Sequence, residues 1–283
     1  LTVGVYETWL SRGSLEGAAR IAMLLLALMA LLLLVERYLR AGGIEQKSKH
    51  NLAPILHKPT PLMQGVILII SSLPFLIGFV LPVVLLIIFS LGRFENADGL
   101  FSAATRSIVL ASATAIIVVG IGLFLAFLTR INTPGWLNKS IQTASLGYAI
   151  PGTVLGLGVL IVLSQFDNFS SQLLNLSFLP ILSGSLFALI FAYSLRFLSI
   201  SFGTFEAELS RIPKTTDMAA STLGARTFQL LRLVHLPMLR PALITASVLI
   251  FVDTMKELPA TLILRPFNFE TLATQVYNYA SVG

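Results

Sequence analysis

The sequence predicts an all-α protein, a polytopic bundle of transmembrane helices, and three observations carry that prediction. Hydrophobic residues make up 55% of the 283 and charged residues 11%, where a soluble domain carries roughly 25% charge. Several apolar runs reach the roughly 20 residues needed to cross a bilayer. The positive charges gather in the short connections between those runs, the distribution that sets membrane orientation. The net charge of +6 therefore speaks of topology, and nucleic acid is not an expected partner. Cysteine is absent, which excludes disulfide, thiolate-metal and thiol-nucleophile chemistry.

Six spans are expected. The first covers about Ala18 to Val35 and is closed by Glu36, Arg37 and Arg40. A stretch with Lys47, Lys49, Lys58 and three prolines follows, the best boundary in the chain. The second span runs near Val66 to Leu91, with Pro74 and Pro82 inside it; neighbours can satisfy the carbonyls such prolines free. The third covers Thr105 to Leu128, the fourth Ala144 to Leu163, the fifth Pro180 to Phe202. The sixth starts at Ala242 and loses its apolar character at Asp253. Counting Lys and Arg puts the 41–62 linker, the third-to-fourth connection (Arg130, Lys139) and the Gly203–Pro241 stretch in the cytoplasm. The loops near Arg93–Gly99 and Ser164–Ser177 are then external. Leu1–Tyr6 and Leu272–Tyr277 share Leu, Val and Tyr, a weak match that suggests an internal repeat. With no initiating Met and no signal-peptide pattern, the chain reads as a fragment or processed product.

The stretch that organises the rest is polar and lies between the last two spans. Thr215, Thr216 and Asp217 can start a short helix; Ala219, Ala220 and Leu223 give it a small apolar face, and Gly224 permits the left-handed turn that ends it. A second arm follows, with Arg226, Gln229, Arg232 and His235 on its wetter side and Pro237 closing it. Two readings stand side by side: an amphipathic loop on the lipid headgroups, or an elbow that docks on another protein.

Two other stretches are marked. Pro151 interrupts the backbone ladder at the fourth span, and Gly152 with Gly156 forms a small face for close helix approach. This is either plain packing or a broken helix lining a pathway. Asp253, Lys256 and Glu257 lie at the outer part of the sixth span, three and four residues apart and so on one helical face. They form either a neutralised interfacial cluster or the outer end or gate of a permeation path.

The order Asp217-Met218-Ala219-Ala220-Ser221-Thr222-Leu223-Gly224-Ala225, then Val234, Leu236 and Pro237, resembles the EAA loop of membrane subunits in ATP-binding-cassette (ABC) importers. That loop reads roughly E-A-A-x-x-x-G and then I/V-x-L-P. Met218 stands where the family's Glu is usual, with Asp217 beside it. The run from Gly147 to Gly158 and the Glu257–Pro266 and Thr271–Tyr277 segments look like the iron(III) branch, where two permease halves are fused. The resemblance covers most of residues 60–283. It implies a type I importer permease in which 1–40 is the last helix of a preceding half, 41–62 a cytoplasmic linker and 63–283 the second half.

The resemblance further implies a multi-pass protein of the bacterial inner membrane that works by alternating access. Its partners would be a dimer of ABC ATPase subunits, a periplasmic substrate-binding protein, and the first half of the same permease or a second copy. Ferric iron is the implied solute, with thiamine and polyamine permeases sharing the architecture. Residues 217–220, 223–225, Leu236 and Pro237 would form the ATPase-coupling loop; Pro151, Gly152, Asp253, Lys256 and Glu257 would belong to the path or gate. The sequence holds no G-x-x-x-x-G-K-[ST] and no H-E-x-x-H, so no catalytic residue, bound cofactor or resident metal is expected, and ATP would be bound by the partner. The rival from another class is an ion-coupled secondary transporter, which needs a charged relay deep in the spans.

Overall fold

The computed structural model describes residue 8 and residues 15–41, 60–90, 99–131, 134–174 and 182–282. Among them the chain is helical, with no strand. Leu1–Tyr6, the 42–59 linker and most of the Arg93–Gly99 loop lie outside the described residues. The chain forms two compact units, residues 38–101 and residues 1–37 with 102–283.

In the smaller unit, α2 (Pro61–Phe75) continues through a π-helical turn, Leu76–Val80, into α3 (Leu81–Ser90). Pro82 has no N–H for the carbonyl a turn earlier, and the wider turn just before it absorbs the mismatch. The hydroxyls of Ser71 and Ser72 donate to the carbonyls of Ile67 and Ile69 near Pro74. Pro61–Phe89 forms one apolar run of 29 residues, about 43 Å of helix and more than the hydrocarbon core requires.

The larger unit is built around two long helices, α4 (Leu100–Arg130) and α7 (Leu186–Arg211). Small and apolar residues of α4 recur every three or four positions (Ala103, Ser107, Ala111, Ala115, Val119, Gly122, Ala126) and form its buried stripe. Gly122 lets the helices close: a Cβ there would overlap the Ser201 side chain and meet the Phe202 nitrogen at 2.9 Å. The two helices run antiparallel. Arg106 shares an apolar cavity of about 190 Å³ with Leu186 and Phe269, whereas Arg130 sits against Leu209 and Ile212. On α11 (Arg240–Met255), Ala242, Ala246 and Ile250 pack at four-residue spacing into the same core. Helix α6 (Gly152–Leu174) receives α12 (Pro259–Leu264) along one side, and its Leu157 packs with Ala18, Ala22 and Leu25 of α1 (Leu15–Ala41). Short α5 (Gly135–Ala144) and α13 (Leu272–Val282) complete the unit.

Among the described residues four helical runs are long and apolar enough to cross a bilayer: Pro61–Phe89, Leu100–Arg130, Gly152–Gln172 and Leu186–Arg211. A fifth crossing arises only when Thr227–Met238 and Arg240–Met255, bent by 76°, are taken together, and the apolar part of α1, Gly17–Leu32, is shorter. The expected first span, Ala18–Val35, lies within α1 (Leu15–Ala41), and the expected sixth corresponds to the 16-residue α11.

The fourth span is displaced. It begins after Pro151, which can open a helix but not continue one. It runs to Leu174, so the first part of the expected Ser164–Ser177 loop is helical. Polar residues fit there because Ser164, Ser170 and Ser171 donate to carbonyls three residues back. Asp167 then organises the return: its carboxylate accepts from the backbone N–H of Leu182 and from the N–H and hydroxyl of Ser183. At the other end α7 continues to Arg211, so the first part of the polar 203–241 stretch is helix and the connection starts at Ile212.

Candidate functional site

The elbow consists of α8 (Lys214–Thr222), α9 (Thr227–Gln229), a π-helical turn (Leu230–His235) and α10 (Leu236–Met238). Helix α8 starts at Lys214 behind Pro213 and has no side-chain cap, so Thr215, Thr216 and Asp217 do not cap it as expected. It ends as expected. Gly224 has φ +85°, and the Ala225 and Gly224 N–H groups donate to Ala220 and Ser221 at 3.0 Å each, a Schellman closure.

Asp217 turns inward. Its carboxylate accepts two hydrogen bonds from Arg130, from Nε at 2.7 Å and from Nη2 at 3.1 Å. Arg130 also donates to the carbonyls of Leu209, Ile212 and Pro213, satisfying the open end of α7. His235 lies against the same carboxylate, Nε2 to Oδ1 3.2 Å, and beside the Phe127 ring at 5.7 Å. One guanidinium thus fastens the ends of α4 and α7 to the first arm of the elbow, and Asp217 carries the contact on to His235 of the second. His235 is fully buried, not on the wetter side. Leu230–His235 is wound as a π turn, which changes the register ahead of Pro237 as the earlier π turn does ahead of Pro82. Burial holds the His235 pKa below the ordinary histidine value, opposed by Asp217 and aided by Arg130. Pro237 does not close the arm; the chain bends at Leu239, after α10.

The tip is apolar and bare. Leu223 is 88% exposed, Phe228 69% and Met218 63%, and Ala219 beside them is exposed too. Behind the tip a polar cavity of about 720 Å³ is lined by Arg130, Lys214, Asp217, Ser221 and Thr227, among others.

A second group of polar residues lies deep in the bundle. Arg196 sits on α7 about 15 Å from its Leu186 end and about 22 Å from its Arg211 end. Glu257 faces it, Oε2 3.5 Å from Nε. Arg196 Nη1 donates to the Ile150 carbonyl at 3.1 Å, and its guanidinium lies over the Tyr148 ring at 5.9 Å. Tyr193 and Thr261 share a hydrogen bond of 2.5 Å one turn away. The glycines make room for this convergence. A Cβ on Gly152 would overlap the Glu257 carboxylate and meet Arg196 Nη1 at 2.8 Å; one on Gly156 would stand 3.3 Å from Ala260 Cα.

Asp253, Lys256 and Glu257 do not share one helical face. Helix α11 ends at Met255, Asp253 pairs with Lys256 at 2.7 Å, and Glu257 leaves the helix to meet Arg196. Sequence reasoning missed Arg196, Tyr193 and the pairing of Arg130. The signal for Arg196 was present: it is the one charge in the apolar run Leu186–Phe202.

No protein-family model matches the chain. Among curated proteins it is similar to a permease protein named for 2-aminoethylphosphonate transport, PhnV, of Salmonella paratyphi A. The two are 25% identical over 235 residues, 76% of this chain and 83% of that protein. It is similar to an Fe(3+)-transport system permease protein of Haemophilus influenzae, 25% identical over 73% of this chain and 40% of that protein. A ferric transport system permease protein of Actinobacillus pleuropneumoniae is 27% identical over 62% of this chain and 26% of its own length. These relatives are permease proteins of transport systems, and with its long apolar helices the chain is similar to multi-pass membrane subunits of ABC-type transporters.

Proposed function

We propose that this chain forms part of the translocation pathway of an importer in the bacterial inner membrane, driven by a separate pair of ATPase subunits. An external binding protein delivers the solute. The relatives' names supply two solute chemistries, an organophosphonate and ferric iron. The observation that carries the reading is the elbow: a bare apolar tip closed by Gly224 and anchored through Arg130 to the ends of α4 and α7. Such a tip gains most by entering an apolar groove on another protein. Because its root is clamped to both core helices, displacing it moves them together. ATP binding would close the ATPase pair, push the elbow and turn a site near the midplane from outward- to inward-facing.

The tip differs from the family pattern in one respect. Its acid, Asp217, is spent on Arg130, so the contact offered to the ATPase is apolar. Reconstitution in proteoliposomes with the co-expressed ATPase and binding protein tests the reading. Uptake that requires ATP supports it; uptake by vesicles lacking the ATPase would favour the ion-coupled transporter.

A further inference from the structure

Helix α11 spans 16 residues, about 24 Å, and so ends short of the far edge of a hydrocarbon core of about 30 Å. Lys256 follows at that depth with its side chain 68% exposed. Tyr148, 48% exposed, and Arg196, 18% exposed, adjoin Glu257 at comparable depth. Charged groups exposed at membrane depth face a protein interior or water, not lipid chains. On the importer reading, this polar face looks into the pathway.

We infer that Arg196 binds an oxyanion of the transported solute as it passes, and that Glu257 occupies the guanidinium until that anion arrives. The inference rests on the importer reading above and narrows its solute. The pair is loosely made for two groups so buried: the closest approach is 3.5 Å, and Arg196 Nε has no hydrogen-bond partner. Guanidinium and carboxylate ordinarily meet in a two-point fork at 2.7–2.9 Å. Here the fork is held in place by the Ile150 carbonyl and the Tyr148 ring with a donor unspent. A phosphonate, phosphate or carboxylate group has the geometry to take that donor.

A bare trivalent cation fits poorly. It would meet the fixed positive charge of Arg196 in a medium of low dielectric. Among the described residues, no three carboxylate or imidazole side chains converge to hold a metal ion. If iron is carried, it crosses with an anionic ligand.

Equilibrium binding to the permease–ATPase complex in lipid nanodiscs, without the binding protein, reads the site directly. The probes are labelled 2-aminoethylphosphonate and iron citrate with separate labels on metal and citrate. The complex should bind at least one of them, citrate together with iron in the second case. Per assembled complex, Arg196→Gln should weaken binding about thirtyfold or more, and Arg196→Lys, which keeps the charge and loses the fork, about tenfold. Tyr148→Ala, at the exposed edge where folding is least at stake, should weaken it about threefold. Unchanged binding in Arg196→Gln and Tyr148→Ala, iron bound without citrate, or no binding above empty nanodiscs would overturn the inference. ATP-driven uptake by the same complex moved into proteoliposomes with the binding protein would leave the importer reading standing in each of those cases; uptake independent of ATP would remove both.

Discussion

Arg130 and Asp217, 87 residues apart in the chain, are joined by two hydrogen bonds of 2.7 and 3.1 Å. The pair locks the end of one core helix to the first turn of the elbow, and the same guanidinium closes the end of the other core helix. The elbow is for this reason a lever fixed to the bundle and not a flexible loop.

Removing Arg130 should therefore damage both stability and coupling. Arg130→Ala strands Asp217, now 22% exposed, without its partner and leaves carbonyls of α7 open. Loss of a largely buried pair costs on the order of 3 kcal/mol. Thermal unfolding of the purified complex should show a clearly lowered midpoint, and ATP-driven uptake should fall. An unchanged midpoint would mean the clamp carries no load.

Gly224 makes a sharper test, because its neighbourhood is empty and only its backbone is special. Nothing lies within 4 Å of a Cβ built there, yet φ is +85°. Gly224→Val should cost about 1–2 kcal/mol locally and uncouple ATP hydrolysis from uptake. Gly224→Asn, a residue that tolerates the left-handed region, should be much milder. Equal effects of the two would refute the backbone argument.

His235 should make stability sensitive to acid. Burial lowers its folded pKa, so the unfolded chain takes up a proton first as pH falls below about 6.5. Above that value the group contributes no slope; below it stability declines until the folded form also protonates. Melting midpoints measured from pH 8 downward should show an acid decline that His235→Gln reduces, with Asp217 and Arg130 left in place. Identical profiles for the two proteins would place the acid sensitivity elsewhere.

Glycines 152 and 158 look alike in the sequence and differ in space. Gly152→Ala drives a methyl into Glu257 and Arg196, whereas a Cβ on Gly158 meets nothing within 4 Å. Uptake should drop sharply for the first and stay near normal for the second, with expression compared by quantitative blotting. Equal activity would show that α6 shifts freely against α12.

Glu257→Gln should lower uptake severalfold, roughly the consequence of weakening one charged hydrogen-bond partner, while the complex still assembles. Normal uptake by this variant would leave the acidic group as structure alone.

Much of this was legible beforehand. Apolar runs gave most of the helices, and the structure gathers Arg130, Arg211 and Lys214 at one end of the bundle. Gly224 was readable because a left-handed turn has few other solutions. The pairing of Arg196 with Glu257 was not, since it joins the middle of one helix to a break beyond another. His235 was misplaced because a 3.6-residue period cannot anticipate a π turn, although Pro237 marked where one would be useful. The fourth span shifted because Pro151 was read as lying inside the helix it begins.

The native chain contains no cysteine, so Leu223→Cys at the elbow tip supplies a unique thiol. The central claim, that this tip seats in a separate ATPase, is tested by crosslinking that thiol in native membranes to cysteines placed along the groove of the co-expressed ATPase. The account predicts a crosslinked permease–ATPase product whose yield changes when ATP is added. A Leu223→Cys protein that crosslinks to nothing, and whose thiol is labelled by an impermeant reagent from the same side as Asn168→Cys, would contradict it.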